Sequence, residues 1–369
     1  MKIDVLKNCL IYTTLCFLLA IIYLNVLFSS KLDSILADLD HEIIKTKPRF
    51  IEPFCKCLND TLKINKDQNK YSIYSIGPKN ASLKYTIKHR DYENNDFSCS
   101  EYHSLNSGPN LKIVSYSLYG KNRKYYSNID KILNQINSFY GHEWIMRIYH
   151  DDSIDESIIC KFECENPGRI QFCPIRDIKY FDFSNYFGMY WRWLPLMDNF
   201  VDLIQIRDLD SWIIEREYLA VSEWLKSNKL FHTMRDHPFH YFPILGGLWS
   251  LKSSLNRTLS KTIIQKLTNK NLIRPYNNKI YLEDQYFLTH HIWPIVKDKG
   301  FIHDSYYCED FGSESFTKGF PSRRIDLGCF VSCIDCCKTN HTSGQILNHK
   351  SVGKKCPKKF RFKKEWEYC

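Results

Sequence analysis

From Lys112 onward, short apolar runs alternate with segments whose apolar residues recur at helical spacing. The runs predict strands over residues 113–119, 144–149, 170–175, 203–206 and 230–234. The helical spacing predicts helices over residues 125–139, 187–197, 213–226 and 281–296. Because strands that alternate with helices are typical of α/β domains, we predict an α/β fold over residues 109–310, with a sheet flanked by helices.

The first apolar stretch has a different character. Residues 9–28 contain no charged side chain, and twenty residues are long enough to span a bilayer core as a helix. Lys2 and Lys7 precede this stretch and favour a cytoplasmic amino end. We therefore predict a cytoplasmic tail over residues 1–8 and a transmembrane signal anchor over residues 9–28; a cleaved signal peptide remains the alternative.

Residues 29–108 are predicted to form a stem, because helical spacing over residues 32–44 gives way after Pro48 to a polar segment. Two further features favour a lumenal, oxidising location, in the Golgi or the endoplasmic reticulum. All but two of the fifteen cysteines follow the apolar stretch. Four N-glycosylation sequons are present, at Asn59, Asn80, Asn256 and Asn340.

Residues 311–369 are rich in cysteine and in basic side chains. Oxidising conditions predict that disulfides hold this segment together, whereas the same cysteines in a cytosolic chain would indicate zinc. The formal net charge of +10 is concentrated here. A location behind a membrane argues against nucleic acid as a partner, so the basic residues form either a solvated tail or a surface for an acidic acceptor or an anionic membrane.

The strongest chemical pattern follows the predicted strand at residues 203–206. The strand ends in Arg207-Asp208-Leu209-Asp210-Ser211, and ligands in α/β folds bind at the carboxyl ends of strands. Two carboxylates one residue apart can share a hard divalent cation that also takes phosphate oxygens. The alternative is an ordinary turn, and Asp38-Leu39-Asp40 has the same spacing with no strand before it. We predict that Asp208 and Asp210 bind a metal.

Two later motifs could complete such a site. Gly246-Gly247 interrupts a strand-like stretch, so the backbone could approach a ligand closely there; a bulge without a ligand is the alternative. Glu283 and Asp284 lie in the first turn of a predicted helix, where the helix dipole favours carboxylates regardless of function. The functional alternative is that one of them deprotonates an acceptor hydroxyl.

Cationic and polar residues close to these motifs are candidate ligands of a donor. Arg192, Arg207 and Arg235 could bind diphosphate oxygens, and Asp236 could hold a sugar hydroxyl. For each arginine, a structural ion pair is the alternative. His303 could complete the shell of a metal such as Mn²⁺, which accepts imidazole, or could be a hydrogen-bonded histidine at a strand end.

Taken in order, these motifs resemble those of the lumenal glycosyltransferases of the GT-A fold, over roughly residues 110–310. The D-x-D motif of that family resembles Asp208-Leu209-Asp210, and its glycine-bearing acceptor loop is similar to residues 243–249. Its acidic pair resembles Glu283-Asp284, and its late histidine ligand resembles His303. The run from Arg207 to Gly247 also resembles an uncharacterised subfamily of these enzymes.

The resemblance implies a GT-A-like, Rossmann-type mixed sheet and a Mn²⁺- or Mg²⁺-dependent transfer of sugar from a nucleotide-sugar donor to a glycan or glycoprotein. It implies that Asp284 acts as the base of an inverting reaction, or orients the sugar of a retaining one. Two other functions remain open: an inactive, transferase-like carbohydrate-binding protein and a metal-dependent phosphoesterase. The second is disfavoured because that chemistry gathers two metals and more Asp and His residues than this sequence supplies.

Overall fold

The computed structural model describes residues 21–34, 48–78, 80–307, 310–311, 316–324, 329–333, 355–358 and 361–367. The described residues form twelve strands: β1 Arg49–Ile51, β2 Thr61–Lys66, β3 Lys70–Ile76, β4 Ala81–Lys88, β5 Leu111–Leu118, β6 Trp144–His150, β7 Ile170–Pro174, β8 Val201–Arg207, β9 Phe231–Arg235, β10 Leu248–Lys252, β11 Gly300–Asp304 and β12 Phe316–Lys318. The α-helices are α1 at residues 21–34, α2 His89–Glu93, α3 Glu101–Ser107, α4 Arg123–Tyr126, α5 Ile129–Phe139, α6 Glu156–Glu165, α7 Glu215–Lys226, α8 Arg257–Thr268, α9 Lys270–Ile273, α10 Glu283–Phe287 and α11 Trp293–Val296.

A mixed eight-stranded sheet forms the centre of the protein, in the order β12-β11-β9-β10-β8-β5-β6-β7. Strands β8, β5, β6 and β7 run parallel to one another. Strand β10 is antiparallel to both of its neighbours, β8 and β9. Buried side chains form one core cluster on each face of the sheet. The predicted α/β class, a mixed sheet flanked by helices, is confirmed.

The amino-terminal part of the described chain also folds. Strands β1 to β4 form an antiparallel sheet, and Leu62, Ile64 and Ile73 join the same buried cluster as the central sheet. Two disulfides, Cys55–Cys160 and Cys57–Cys164, tie the loop after β1 to helix α6. A third, Cys99–Cys173, joins the loop before α3 to β7. Residues 48–78 and 80–108 of the predicted stem therefore belong to the folded body.

Two segments differ from the predicted helices. Residues Gly188–Met197 form a 3-10 helix whose residues are nearly all buried, so the predicted amphipathic helix at 187–197 is wrong in type. The predicted helix at 281–296 is divided, because a π-helical turn at Leu288–Ile292 separates α10 from α11. Such irregular turns depend on tertiary packing, which the spacing of apolar residues does not encode.

The predicted end segments are described only in part. Most of the predicted anchor, residues 9–28, lies outside the described residues, and in the described part of the chain no helix is long and apolar enough to cross a membrane. Within the predicted cysteine-rich segment, Cys329, Cys333 and Cys356 are disulfide-bonded, as expected for an oxidised appendage. The backbone N–H of Val331 donates to Asp236, so this segment packs on the central domain.

Candidate functional site

The site lies where β8 ends. Strand β8 pairs in parallel with β5 and in antiparallel with β10, and the register places Arg207 opposite Leu248. The next pair outward brings Asp208 beside Gly247, because an antiparallel ladder continues one residue in each direction. The backbone N–H of Ser211 donates to the Asp208 carbonyl at 3.2 Å, which closes a turn carrying Asp210. The prediction that both aspartates leave the carboxyl end of a buried strand is confirmed.

Arg192 connects two carboxylates across this edge. The 3-10 helix Gly188–Met197 holds Arg192 in place, and the Arg192 backbone N–H donates to the Ser117 hydroxyl at 3.0 Å. One terminal nitrogen of its guanidinium contacts the Asp208 carboxylate, and the other donates to Asp284 at 2.7 Å. The Arg192 side chain is 2% exposed and that of Asp284 is 4% exposed. Arg192 is therefore the buried counter-ion of the site.

The two predicted glycines make this arrangement possible. A Cβ atom on Gly247 would lie 2.0 Å from Oδ2 and 2.5 Å from Cγ of Asp208. A Cβ atom on Gly246 would lie 2.4 Å from Oδ2 of Asp284 and 2.7 Å from Nη2 of Arg192. All four distances are far below an ordinary contact between non-bonded atoms. The backbone does approach closely here, but the groups it approaches are the carboxylates and the guanidinium of the site.

Asp210 lies nearer to the mouth of the site than Asp284. Its side chain is 20% exposed, and a carboxylate oxygen lies 3.8 Å from the Lys124 ammonium. Burial raises the pKa of Asp210, and the neighbouring charge of Asp208 raises it further. Asp208 itself is 31% exposed. Both carboxylates are therefore partly accessible to solvent at this edge of the sheet.

The acidic pair at residues 283 and 284 divides into two roles. Burial raises the pKa of Asp284, which the adjacent Arg192 guanidinium counteracts. Glu283 instead accepts hydrogen bonds from the backbone N–H groups of Asn278 and Ile280 and from the Asn278 side chain. Both carboxylate oxygens of Glu283 are engaged in its own turn, so of the pair it is Asp284 that contacts Arg192, and a catalytic Glu283 stays a prediction.

His303 is not brought to the aspartates. It lies on β11, which β9 and β10 separate from β8, a span of roughly 14 Å at the usual strand spacing. Its Nε2 lies 2.9 Å from Glu223, and its Nδ1 lies 2.9 Å from Nε2 of His232. Burial lowers the pKa of His303, so it is a neutral, hydrogen-bonded core histidine. The predicted metal-ligand role of His303 is wrong.

Arg207 points to the opposite face of the sheet from Asp208, because adjacent residues of a strand alternate between faces. It forms a buried ion pair with Glu217 at 2.9 Å, and donates to the carbonyls of Gly247 and Trp212. Both side chains of the ion pair are at most 1% exposed. The structural alternative holds for Arg207, which lies on the other face of the sheet from Asp208.

Arg235 and Asp236 belong to a second ionic cluster. Arg235 pairs with Asp304 and donates to the Pro243 carbonyl. Asp236 is fully buried and accepts two hydrogen bonds of 2.8 Å from Arg216. Although burial alone would favour its protonated form, Arg216 and Arg324 hold the pKa of Asp236 well below its usual range. The predictions of donor-binding roles for Arg235 and Asp236 are therefore wrong.

Sequence reasoning missed several residues at the mouth. Lys124 and Tyr125 follow β5 in α4, and the charges of Asp210 and Asp208 contribute, after burial, to the raised pKa of Tyr125. Burial raises the pKa of Tyr119 to about 12, and Arg192 opposes this rise. Burial raises the pKa of Tyr281 as well, and the charges of Asp208 and Asp284 contribute. In the sequence, the signal that could have indicated Tyr119 and Lys124 is their position after a buried strand.

The carboxylate oxygens of this edge fit a hard divalent cation that takes few protein ligands. Asp208 and Asp210 offer carboxylate oxygens at an open edge, which suits Mg²⁺ or Mn²⁺ bound through few protein ligands, water and substrate phosphates. In the described part of the chain, no group of three or more His, Cys, Asp or Glu residues is arranged to hold a metal ion. A cation here would therefore depend on the substrate for part of its shell.

No model of a known protein family matches the chain. No curated protein matches it either. Among solved structures, it is similar to the galactosyltransferase LgtC in complex with donor and acceptor sugar analogues, at 11% identity over 53% of this chain and 74% of that one, with a TM-score of 0.37.

It is also similar to the mannosyltransferase PcManGT from Pyrobaculum calidifontis in complex with GDP-Man and Mn²⁺, at 12% identity over 43% of this chain and 53% of that one, with a TM-score of 0.30. The glycosyltransferase GlyE of Streptococcus pneumoniae TIGR4 matches at 16% identity over 55% of this chain and 48% of that one, with a TM-score of 0.33. Likenesses this distant do not establish what the chain does.

Proposed function

We propose that this chain is a metal-dependent glycosyltransferase of GT-A type that moves a sugar from a nucleotide-sugar donor to a glycan or glycoprotein acceptor. One observation carries the proposal. Arg192 holds Asp208 and Asp284 together at the carboxyl edge of β8, with the partly exposed Asp210 beside them. Three carboxylates and a guanidinium are therefore close together at one edge of the sheet, which supports a site for a cation and a diphosphate.

The charges at this edge suit the departure of a nucleoside diphosphate. Asp208 and Asp210 would hold Mn²⁺ or Mg²⁺, which supplies positive charge for the diphosphate as the glycosidic bond breaks. Lys124, 3.8 Å from Asp210, adds a second positive charge at the mouth. Arg192 keeps Asp208 turned toward Gly247. The chain's own residues therefore orient the leaving group.

Asp284 has the position for work on the sugar or the acceptor. It is nearly buried, and burial raises its pKa, so its ionised form is a stronger base than an exposed aspartate. In an inverting reaction Asp284 would take the proton of the acceptor hydroxyl; in a retaining reaction it would orient the donor sugar. The anomeric configuration of the product distinguishes the two roles.

We further propose that the enzyme works in the lumen of the secretory pathway, in the Golgi or the endoplasmic reticulum, anchored by residues 9–28. The uncharged apolar stretch supports the anchor. The Cys55–Cys160, Cys57–Cys164 and Cys99–Cys173 disulfides support an oxidising compartment.

The test is hydrolysis of a panel of nucleotide sugars by the full chain, with and without Mn²⁺. We expect hydrolysis of one donor to require Mn²⁺ and to fall by roughly 10²-fold or more in Asp210→Ala, because a metal ion contributes several kcal/mol to charge stabilisation. Asp202→Ala is the matched control: Asp202 lies on the same strand, is 27% exposed and pairs with Arg257. Equal activity in the two variants, or release of phosphate from a simple phosphomonoester instead, would refute the proposal.

A further inference from the structure

A strained turn lies immediately before Asp284. Lys279 has φ 63° and Leu282 has φ 75°, so two residues other than glycine adopt the left-handed conformation within four positions. For a bulky residue such as leucine this conformation is unusual, and strained backbone of this kind is concentrated at ligand-binding sites. The turn at residues 278–282 therefore has a conformation that the surrounding structure must impose.

Glu283 imposes that conformation. Its carboxylate accepts hydrogen bonds from the backbone N–H of Asn278 at 2.9 Å and of Ile280 at 3.1 Å, and from Nδ2 of Asn278 at 2.7 Å. The residue is buried, so these bonds are shielded from water. Because Asp284 follows Glu283 directly, the same contacts fix the turn relative to the carboxylate that reaches the site.

The turn presents apolar and aromatic groups to solvent. Ile280 is 61% exposed and Tyr281 is 81% exposed, and Tyr241 nearby is 53% exposed. The Tyr241 ring stacks on Phe242 at 4.9 Å between ring centroids, which gives it a fixed backing. Partial burial raises the pKa of the Tyr281 hydroxyl, and the charges of Asp208, Asp284 and Asp210 and the neighbouring Tyr241 contribute. Tyr281 therefore combines an open ring with a hydroxyl near the acidic cluster.

We propose that Tyr281, with Ile280 and Tyr241, forms the platform on which the acceptor lies, and that this acceptor is an uncharged saccharide whose ring stacks on Tyr281. The inference rests on the proposed function. An exposed aromatic ring with a hydroxyl suits a pyranose, which has an apolar face and a hydroxyl rim. Asp284 is not a metal ligand in the proposed mechanism, so its negative charge disfavours an anionic acceptor beside it and favours a neutral sugar.

The experiment separates the two halves of the reaction in the full chain. Donor hydrolysis is measured with Mn²⁺ and the best nucleotide sugar, and transfer is measured with neutral methyl hexosides, an anionic methyl glucuronide, a short peptide and a long-chain alcohol as acceptor probes. We expect transfer to a neutral hexoside. Tyr281→Ala should raise the acceptor KM by roughly tenfold through loss of aromatic contact, with donor hydrolysis within about twofold of the unaltered chain. Tyr281→Phe keeps the ring and should retain most of the affinity.

Tyr180→Ala is the matched control, since Tyr180 is 43% exposed and lies in the loop after β7. An unchanged acceptor KM in Tyr281→Ala would contradict the proposal that Tyr281 binds the acceptor. A donor hydrolysis reduced as much as transfer would contradict it too. So would a wild-type chain that uses only the peptide, the alcohol or the glucuronide. A chain that hydrolyses no nucleotide sugar at all would instead overturn the proposed function, so the two failures are distinguishable.

Discussion

Replacing Gly247 with alanine tests the geometry of the site most directly. The added Cβ would lie 2.0 Å from Oδ2, 2.5 Å from Cγ and 3.0 Å from the backbone nitrogen of Asp208. Gly247 has no left-handed φ, so alanine fits the backbone and the effect is purely steric. Because non-bonded heavy atoms rest roughly 3.5 Å apart, the Asp208 carboxylate must retreat by about 1.5 Å.

Such a retreat removes Asp208 from its place beside Arg192 and from the edge it shares with Asp210. A misplacement of about 1 Å in a reacting group costs roughly 10²-fold in rate. We therefore expect kcat/KM for Mn²⁺-dependent nucleotide-sugar hydrolysis to fall by at least about 10²-fold in Gly247→Ala. Overpacking of this size lowers the free energy of unfolding by about 1–3 kcal/mol, so the variant should still fold.

The assay pairs this rate with the melting temperature, with and without Mn²⁺. Gly77→Ala is the control, because a Cβ on Gly77 would meet Asp60 at an ordinary 3.5 Å, and it should change neither quantity appreciably. Full hydrolytic activity in a folded Gly247→Ala protein would show that the position of the Asp208 carboxylate is unimportant. In that case the assignment of the site to this edge of the sheet is refuted.

Three further changes test the electrostatics and the disulfides. Arg192→Ala leaves Asp284 buried without its cation, so the free energy of unfolding near neutral pH should fall by about 3–5 kcal/mol. Because the pKa of Asp284 is raised in the folded state, its protonation stabilises the fold as the pH falls toward the ordinary aspartate range. Urea unfolding at two pH values should therefore show a smaller loss of unfolding free energy in Arg192→Ala at the acidic pH. An equal loss at both pH values would contradict this. Glu217→Gln should lower the free energy of unfolding by about 3–5 kcal/mol, because it leaves the Arg207 guanidinium without its ion pair. Donor hydrolysis per folded molecule should not change, since that ion pair lies on the other face of the sheet from Asp208. A selective loss of hydrolysis would indicate that Arg207 contributes to the site. Removing either of the two disulfides to α6 should lower the free energy of unfolding by about 2 kcal/mol, and removing both should lower it by about 7 kcal/mol. The first bond closes a loop of 105 residues, and the second then closes only a short ring. Additive losses in urea unfolding would contradict this.

The elements of the central sheet could be predicted because their patterns are local. The strand predicted at residues 113–119 is found at Leu111–Leu118, and that predicted at 144–149 is found at Trp144–His150. A buried strand needs a continuous apolar run, and the run appears in the sequence itself. The amino-terminal sheet also carries a local signal, since Leu62 and Ile64 alternate with polar residues in β2, but the polar composition of the segment concealed it.

Residue roles at the site were less predictable because they depend on distant partners. Asp236 is neutralised by Arg216 and Arg324, and His303 is engaged by Glu223 and His232, contacts that span up to 88 positions along the chain. Charged residues beside a functional motif are therefore poor evidence of function until their partners are known. Arg207 is the exception: strand alternation alone requires it to face away from Asp208.

The charges of the site explain why a cation belongs in the proposed mechanism. Three carboxylates, those of Asp208, Asp210 and Asp284, surround a single buried guanidinium, and Lys124 offsets only part of the excess from 3.8 Å. Burial and carboxylate crowding raise the pKa of Asp210 and of Asp284 because a proton relieves this excess of negative charge. In the proposed mechanism a bound cation would supply the same relief near neutral pH, and the carboxylates would then no longer repel a diphosphate.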